Sequence, residues 1–143
     1  MDDPTAAAAP APSLILVDDD EAVREALERV LRMNGYPVES FAGARAALDR
    51  LARSAETAAG VLTDIVMPGM RGTELAREVR ARWPGLPVIF LSGHADERVL
   101  QEFAPFGPAY GIGYLLKPYA LDQLFALLRE HGITPSELRV GGG

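Results

Sequence analysis

The chain reads as an α/β protein: a doubly wound parallel sheet of five strands in the order 2-1-3-4-5, with helices on both faces. Three observations predict it. Short, continuous apolar runs of strand length recur along the sequence, as in strands covered on both sides. Between them lie segments whose apolar residues repeat at helical spacing. Polar residues gather at the C-terminal ends of the strands, which is where open α/β sheets bind ligands. Strand–helix alternation implies parallel pairing, and 143 residues suffice for one such domain.

Leu14–Val17 is the first strand. Val23, Ala26, Leu27, Val30 and Leu31 then form one face of a helix, with Asp20 as its N-cap and Asn34-Gly35 as its stop. A weaker strand spans Val38–Phe41 and precedes an Ala-rich helix with Ala44, Ala47, Leu48 and Leu51 inward. Val61–Ile65 is the third strand, and Leu75, Val79 and Trp83 mark the third helix, ended by Pro84-Gly85. Val88–Leu91 and Tyr114–Leu116 are the fourth and fifth strands. Val99, Leu100 and Phe103 place a short fourth helix between them, which Pro105 and Pro108 end early. Leu121, Leu124, Phe125 and Leu128 define the last helix, with Gly132 beyond it.

Residues 1–12, rich in Ala and Pro, are expected to be a flexible lead, 13–131 the folded domain, and 132–143 a short tail. The net charge of −6 argues against a nonspecific grip on nucleic acid or anionic membrane. With no cysteine there is no disulfide, thiolate catalysis or Cys-ligated zinc, and two histidines cannot build a histidine-rich metal site. Apolar runs fall short of the ~18 residues of a membrane span. The N-terminus lacks the basic start of a secretory signal, so the expected location is cytoplasmic.

Each strand end carries chemistry. The first runs into Asp18-Asp19-Asp20, the third ends in Asp64, the fourth in Ser92-Gly93 and the fifth in Lys117-Pro118. In the 2-1-3-4-5 order, strands 1 and 3 are neighbours at the switch point, so their acidic ends share one crevice. Carboxylates so placed repel one another unless a hard cation joins them, and oxygen ligands without His or Cys suit Mg²⁺. A carboxylate beside such a metal and a fixed ammonium can attack phosphorus and form an aspartyl phosphate. Lys117 and the metal would offset charge on the phosphoryl oxygens, and the Ser92 hydroxyl would donate to one of them.

LVDDDEAVR, LTDIVMPGMRG, FLSGHAD and YLLKPY resemble, in order and spacing, the motifs of the two-component response-regulator receiver domain. The resemblance spans roughly Ser13 to His131 and implies a flavodoxin-like fold in a phosphorelay signal-transduction protein rather than an enzyme with a separate substrate. It implies Asp64 as phosphoacceptor for a histidine kinase or phosphotransfer protein. Asp19 would be a direct Mg²⁺ ligand, Asp18 would act through water, and the Val66 backbone carbonyl would complete the protein's share of the metal shell. Ser92 takes the switch hydroxyl position and Tyr114 the aromatic switch position. Lys117 is the family's lysine, with Pro118 following through a cis peptide. Asp20 is left to cap the helix.

The same resemblance implies contact with an output protein or a second copy through the fourth helix, the fifth strand and the last helix. Here the chain departs from the family, because FAPFGPAYGIGY (103–114) crowds proline and glycine into that surface. In this it looks more like receivers of hybrid histidine kinases, or stand-alone receivers, than those of transcription factors. Arg71 stands where the family tends to have a small polar or acidic residue. A different class fits part of the same stretch. LILVDDDEAV also resembles the haloacid-dehalogenase hydrolase signature, with Asp18 as nucleophile and Asp20 as acid/base. That reading leaves Asp64 unexplained and lacks a later acidic cluster.

Overall fold

The computed structural model describes residues 12–92 and 112–135, with Ser92 and Ile112 as backbone only. The fourth predicted helix, His94 and the 103–111 part of the Pro/Gly segment lie outside the described residues. Five strands, β1 (Ser13–Val17), β2 (Val38–Phe41), β3 (Ala58–Asp64), β4 (Val88–Ser92) and β5 (Ile112–Leu116), form one sheet in the order β2-β1-β3-β4-β5. Every pairing is parallel, as expected. The described helices are α1 (Glu21–Met33), α2 (Ala44–Arg53), α3 (Gly72–Arg82) and α4 (Leu121–Glu130).

Alternation along each strand divides the core into two layers. Ile15, Val17, Val61, Val88 and Phe90 face α2 and α3, whose Ala44, Ala47, Leu48, Leu51, Leu75, Ala76 and Val79 are buried against them. Leu14, Leu16, Leu62, Ile89 and Leu91 face the other way, onto Leu27 and Leu31 of α1 and Leu124 and Leu128 of α4. Leu124 and Leu128 are fully buried, and each such side chain stabilises the fold by roughly 1.5–3 kcal/mol relative to exposure. Tyr36, after α1, stacks on Phe125 of α4 with ring centroids 5.9 Å apart, joining the two helices of this layer.

The helix ends obey local chemistry. The Asp20 carboxylate accepts from the Val23 amide at 3.1 Å, the expected N-cap. Gly35, with φ +90°, turns the chain after α1. At the N-cap of α3, Arg71 has no side-chain acceptor to offer; the Glu74 carboxylate instead accepts from the Arg71 amide at 3.3 Å. Half of a capping box is therefore present. Arg71→Ser supplies the other half, and we expect a gain of about 0.5–1 kcal/mol. Thermal unfolding checks it: an unchanged or lower midpoint would show that the arginine serves this helix in another way.

In α1 the inward face is narrower than its periodicity predicts. Leu27 and Leu31 are buried, whereas Val23 is 41% exposed and Ala26 is exposed. Val23 shares the inward stripe but sits in the first turn, beyond the end of β1. Ala26 lies about 100° around the helix from Leu27 and faces outward. A polar tie holds the opposite edge of the sheet. The largely buried Arg50 guanidinium donates to both Glu39 oxygens at 2.9 Å and to Thr57 Oγ1 at 2.8 Å, linking α2, β2 and the turn before β3. It holds the Glu39 carboxyl below its ordinary range.

Candidate functional site

The sheet register assembles the site. Val17 pairs with Thr63, so the next residues, Asp18 and Asp64, emerge side by side at the C-terminal edge. On the next strands Asp64 pairs with Leu91, and Ser92 with Leu116, which brings Lys117 out at the same edge. Asp18, Asp19 and Asp64 each offer a carboxylate oxygen, and these oxygens lie within 4.8 Å of one another. Lys117 Nζ lies 3.9 Å from Asp18 Oδ2 and 3.9 Å from Asp64 Oδ2. The Lys117–Pro118 peptide is cis.

Burial and hydrogen bonding differ among the three carboxylates. Asp18 is buried, and its Oδ1 accepts from the Asp20 amide at 2.9 Å, which leaves Oδ2 toward Lys117. Asp19 is exposed, so its oxygens face solvent at the mouth of the crevice. Asp64 lies between these extremes, with Oδ1 accepting from the Ile65 amide at 2.9 Å and Oδ2 toward Lys117. Burial pushes the Asp64 carboxyl above its ordinary range. Lys117 and the Ile65 amide pull it back, while Asp18 and Asp19 add to the rise.

Three carboxylates against one ammonium leave an excess of two negative charges, which one divalent cation would balance. The donors are hard oxygens without His or Cys, a set that fits Mg²⁺. Val66, two residues after Asp64, is 64% exposed in the loop leading to α3. Tyr114 is half-buried on β5, packed beside the core layer that faces α2 and α3. The Ser92 backbone stands at the end of β4, and its side chain lies outside the described residues.

Three residues at this edge escaped the sequence reading. Gly72, the first residue of α3, sits so close to the strand end that a Cβ there would lie 2.1 Å from the Asp64 carbonyl oxygen. Its amide donates to the Ile65 carbonyl at 2.9 Å, closing the loop that follows Asp64. The glycine of MRG was the available signal. Arg24 donates from Nη1 to the Asp18 carbonyl at 2.9 Å. Tyr119 packs beside the α1/α4 layer, and its hydroxyl is pushed up by burial and then by the Asp18 charge.

The family model of the response regulator receiver domain matches residues 14–129. The chain belongs to that family. Among curated proteins, the receiver is 42% identical over 120 residues to the C4-dicarboxylate transport transcriptional regulatory protein DctD of Rhizobium meliloti, covering 84% of this chain and 25% of that protein. It is 40% identical to the response regulator MprA of Mycolicibacterium vanbaalenii, over 81% of this chain and 48% of that one. The chain thus spans a quarter to a half of these relatives. Among solved structures, the response regulator receiver protein of Pseudomonas putida superposes with a TM-score of 0.74 at 28% identity, covering 85% of this chain and 98% of its own.

The function is therefore that of a phosphorelay receiver in two-component signal transduction, and the fold matches the expected doubly wound architecture. The haloacid-dehalogenase alternative is not supported. The family match is to the receiver, and the Asp20 carboxylate caps α1 instead of joining the acidic cluster. Among the described residues, no helix is long and apolar enough to cross a membrane.

Proposed function

We propose that Asp64 of this receiver accepts the phosphoryl group, with Asp18, Asp19, Asp64 and the Val66 carbonyl holding Mg²⁺. The observation that carries this reading is the juxtaposition of three carboxylates and Lys117 at one sheet edge. The donor is a phosphohistidine of a histidine kinase or phosphotransfer protein. An Asp64 carboxylate oxygen forms a bond to phosphorus as the P–N bond breaks, and the departing imidazole keeps the electron pair. Lys117, equidistant from Asp18 and Asp64, keeps Asp64 ionised against its burial and then pairs with a phosphoryl oxygen. Bound Mg²⁺ supplies further neutralisation of the transferred oxygens. Asp18, with one oxygen committed to the Asp20 amide, would act on the metal through water, while the exposed Asp19 would ligate directly.

Ser92 and Tyr114 form the switch in this reading: the hydroxyl moves to the new phosphoryl oxygens, and the ring turns toward the space it leaves. The readout is contact with an output protein or a second copy across β5, α4 and the segment between β4 and β5. The receiver itself, at net charge −6, does not hold nucleic acid or membrane and works in the cytoplasm. In a longer protein resembling DctD or MprA, DNA contact would belong to another domain.

Acetyl phosphate as donor tests the proposal. With Mg²⁺ the intact mass should show one phosphoryl adduct, labile to hydroxylamine as an acyl phosphate is. Without Mg²⁺, in EDTA, no adduct should form. An adduct that survives hydroxylamine, or one that forms equally in EDTA, would overturn it.

A further inference from the structure

We propose that Arg24 is a positioning residue for the acidic pair Asp18-Asp19, acting as a clamp on the backbone rather than through its charge. The proposal rests on the Mg²⁺ reading of the site given above. An arginine at this place is, on electrostatic grounds alone, a disadvantage: a guanidinium beside a cation site repels the cation. The hydrogen bonding gives it another purpose. Nη1 donates at 2.9 Å to the Asp18 main-chain carbonyl, not to a carboxylate of the cluster.

Other polar groups on that turn are tied down as well. The Asp18 amide donates to the Phe41 carbonyl at 3.1 Å, tying the turn to β2. Asp18 Oδ1 accepts from the Asp20 amide at 2.9 Å, and the Asp20 carboxylate accepts from the Val23 amide at 3.1 Å. Arg24 supplies the buried Asp18 residue's carbonyl with its donor. With it, the peptide linking Asp18 to Asp19 is held from α1, and the direction of the Asp19 side chain is set with it. Asp18 Oδ2, left out of those bonds, lies 3.9 Å from Lys117 Nζ, and Asp19 contributes a carboxylate oxygen to the cluster. A side chain that orients a ligand through a partner group commonly changes metal affinity by 10- to 100-fold when removed.

The two roles make opposite predictions for Mg²⁺ affinity. Calorimetric titration with MgCl₂ at fixed ionic strength compares wild type, Arg24→Met, Arg24→Lys and Asp19→Asn, each also unfolded thermally in EDTA. A clamp predicts the affinity order wild type, then Arg24→Lys, then Arg24→Met, the last weaker by about tenfold, at a temperature where the EDTA-treated variants are all folded. The lysine variant keeps the charge and one donor, so its partial rescue is the signature of the hydrogen bond. A charge effect predicts the reverse, with Arg24→Met binding more tightly than wild type; that order, or equal affinities, overturns the proposal. Should Arg24→Met unfold, Arg24→Leu replaces it in the same comparison. Failure of the underlying reading looks different: wild type and Asp19→Asn would then bind Mg²⁺ equally weakly or not at all.

Discussion

Replacing Asp64 by asparagine should remove phosphorylation and yield a metal-free protein that unfolds at a higher temperature than wild type. The first effect follows from chemistry, since an amide has no anionic oxygen to attack phosphorus. The second follows from electrostatics. Burial and the neighbouring Asp18 and Asp19 hold the Asp64 carboxyl above its ordinary range despite Lys117. A carboxyl whose folded pKa exceeds its unfolded value binds more protons folded than unfolded between the two values. Stability therefore falls as pH rises through that window, which begins at the unfolded value of about 3.9, and the loss persists at neutral pH. Asparagine removes this penalty and flattens the slope. Hydroxylamine-labile label and thermal unfolding in EDTA, from pH 4 to 8, check both parts. A labelled Asp64→Asn protein would remove Asp64 as acceptor. A variant less stable than wild type throughout would mean that the Lys117 contact outweighs the burial.

Gly72→Ala should cost about 2–3 kcal/mol of stability, the scale of overpacking a closed site, and should slow phosphorylation as well. A methyl group there meets the Asp64 carbonyl oxygen at 2.1 Å and the Ile65 Cα at 3.0 Å. Both are backbone and cannot swing aside, so the strand end and α3 must part. Thr63 Oγ1 donates to that same carbonyl at 2.9 Å, which leaves it little freedom to move. If Asp64 is the acceptor, displacing it by about 1 Å is enough to cost on the order of 100-fold in a positioned reaction. Gly69→Ala is the comparison. Gly69 has φ +76° with open space around it, so its substitution costs about 1 kcal/mol through backbone strain and spares the packing at Asp64. If Gly72→Ala labels at the wild-type rate and loses no more stability than Gly69→Ala, the close approach does not hold the acceptor in place.

The sequence by itself determined the sheet and its polar edge. Continuous apolar runs such as Leu14–Val17 and Val88–Leu91 have one stable use, as strands covered on both sides, and a strand followed by an amphipathic helix returns parallel. Once the order was read, Asp18 and Asp64 had to become neighbours, because a residue just past a strand end keeps the place its strand gives it. Caps were equally local: Asp20 and Gly35 act on backbone within four residues of themselves. Contacts between distant segments were decided by tertiary structure alone. β3 begins at Ala58, earlier than its apolar run predicts, and at Gly60 the Ile133 side chain fills the space where a Cβ would be. β5 likewise starts before Tyr114, where the His131 ring covers Gly113. Ile133 is itself buried, so packing continues beyond the expected domain end at His131. Arg24, Arg50 and Gly72 show the same division. As letters they are a surface charge, another surface charge and a loop glycine. Their roles depend on a carbonyl, a carboxylate and a strand end that other segments bring within reach, and single-residue chemistry cannot specify that distance.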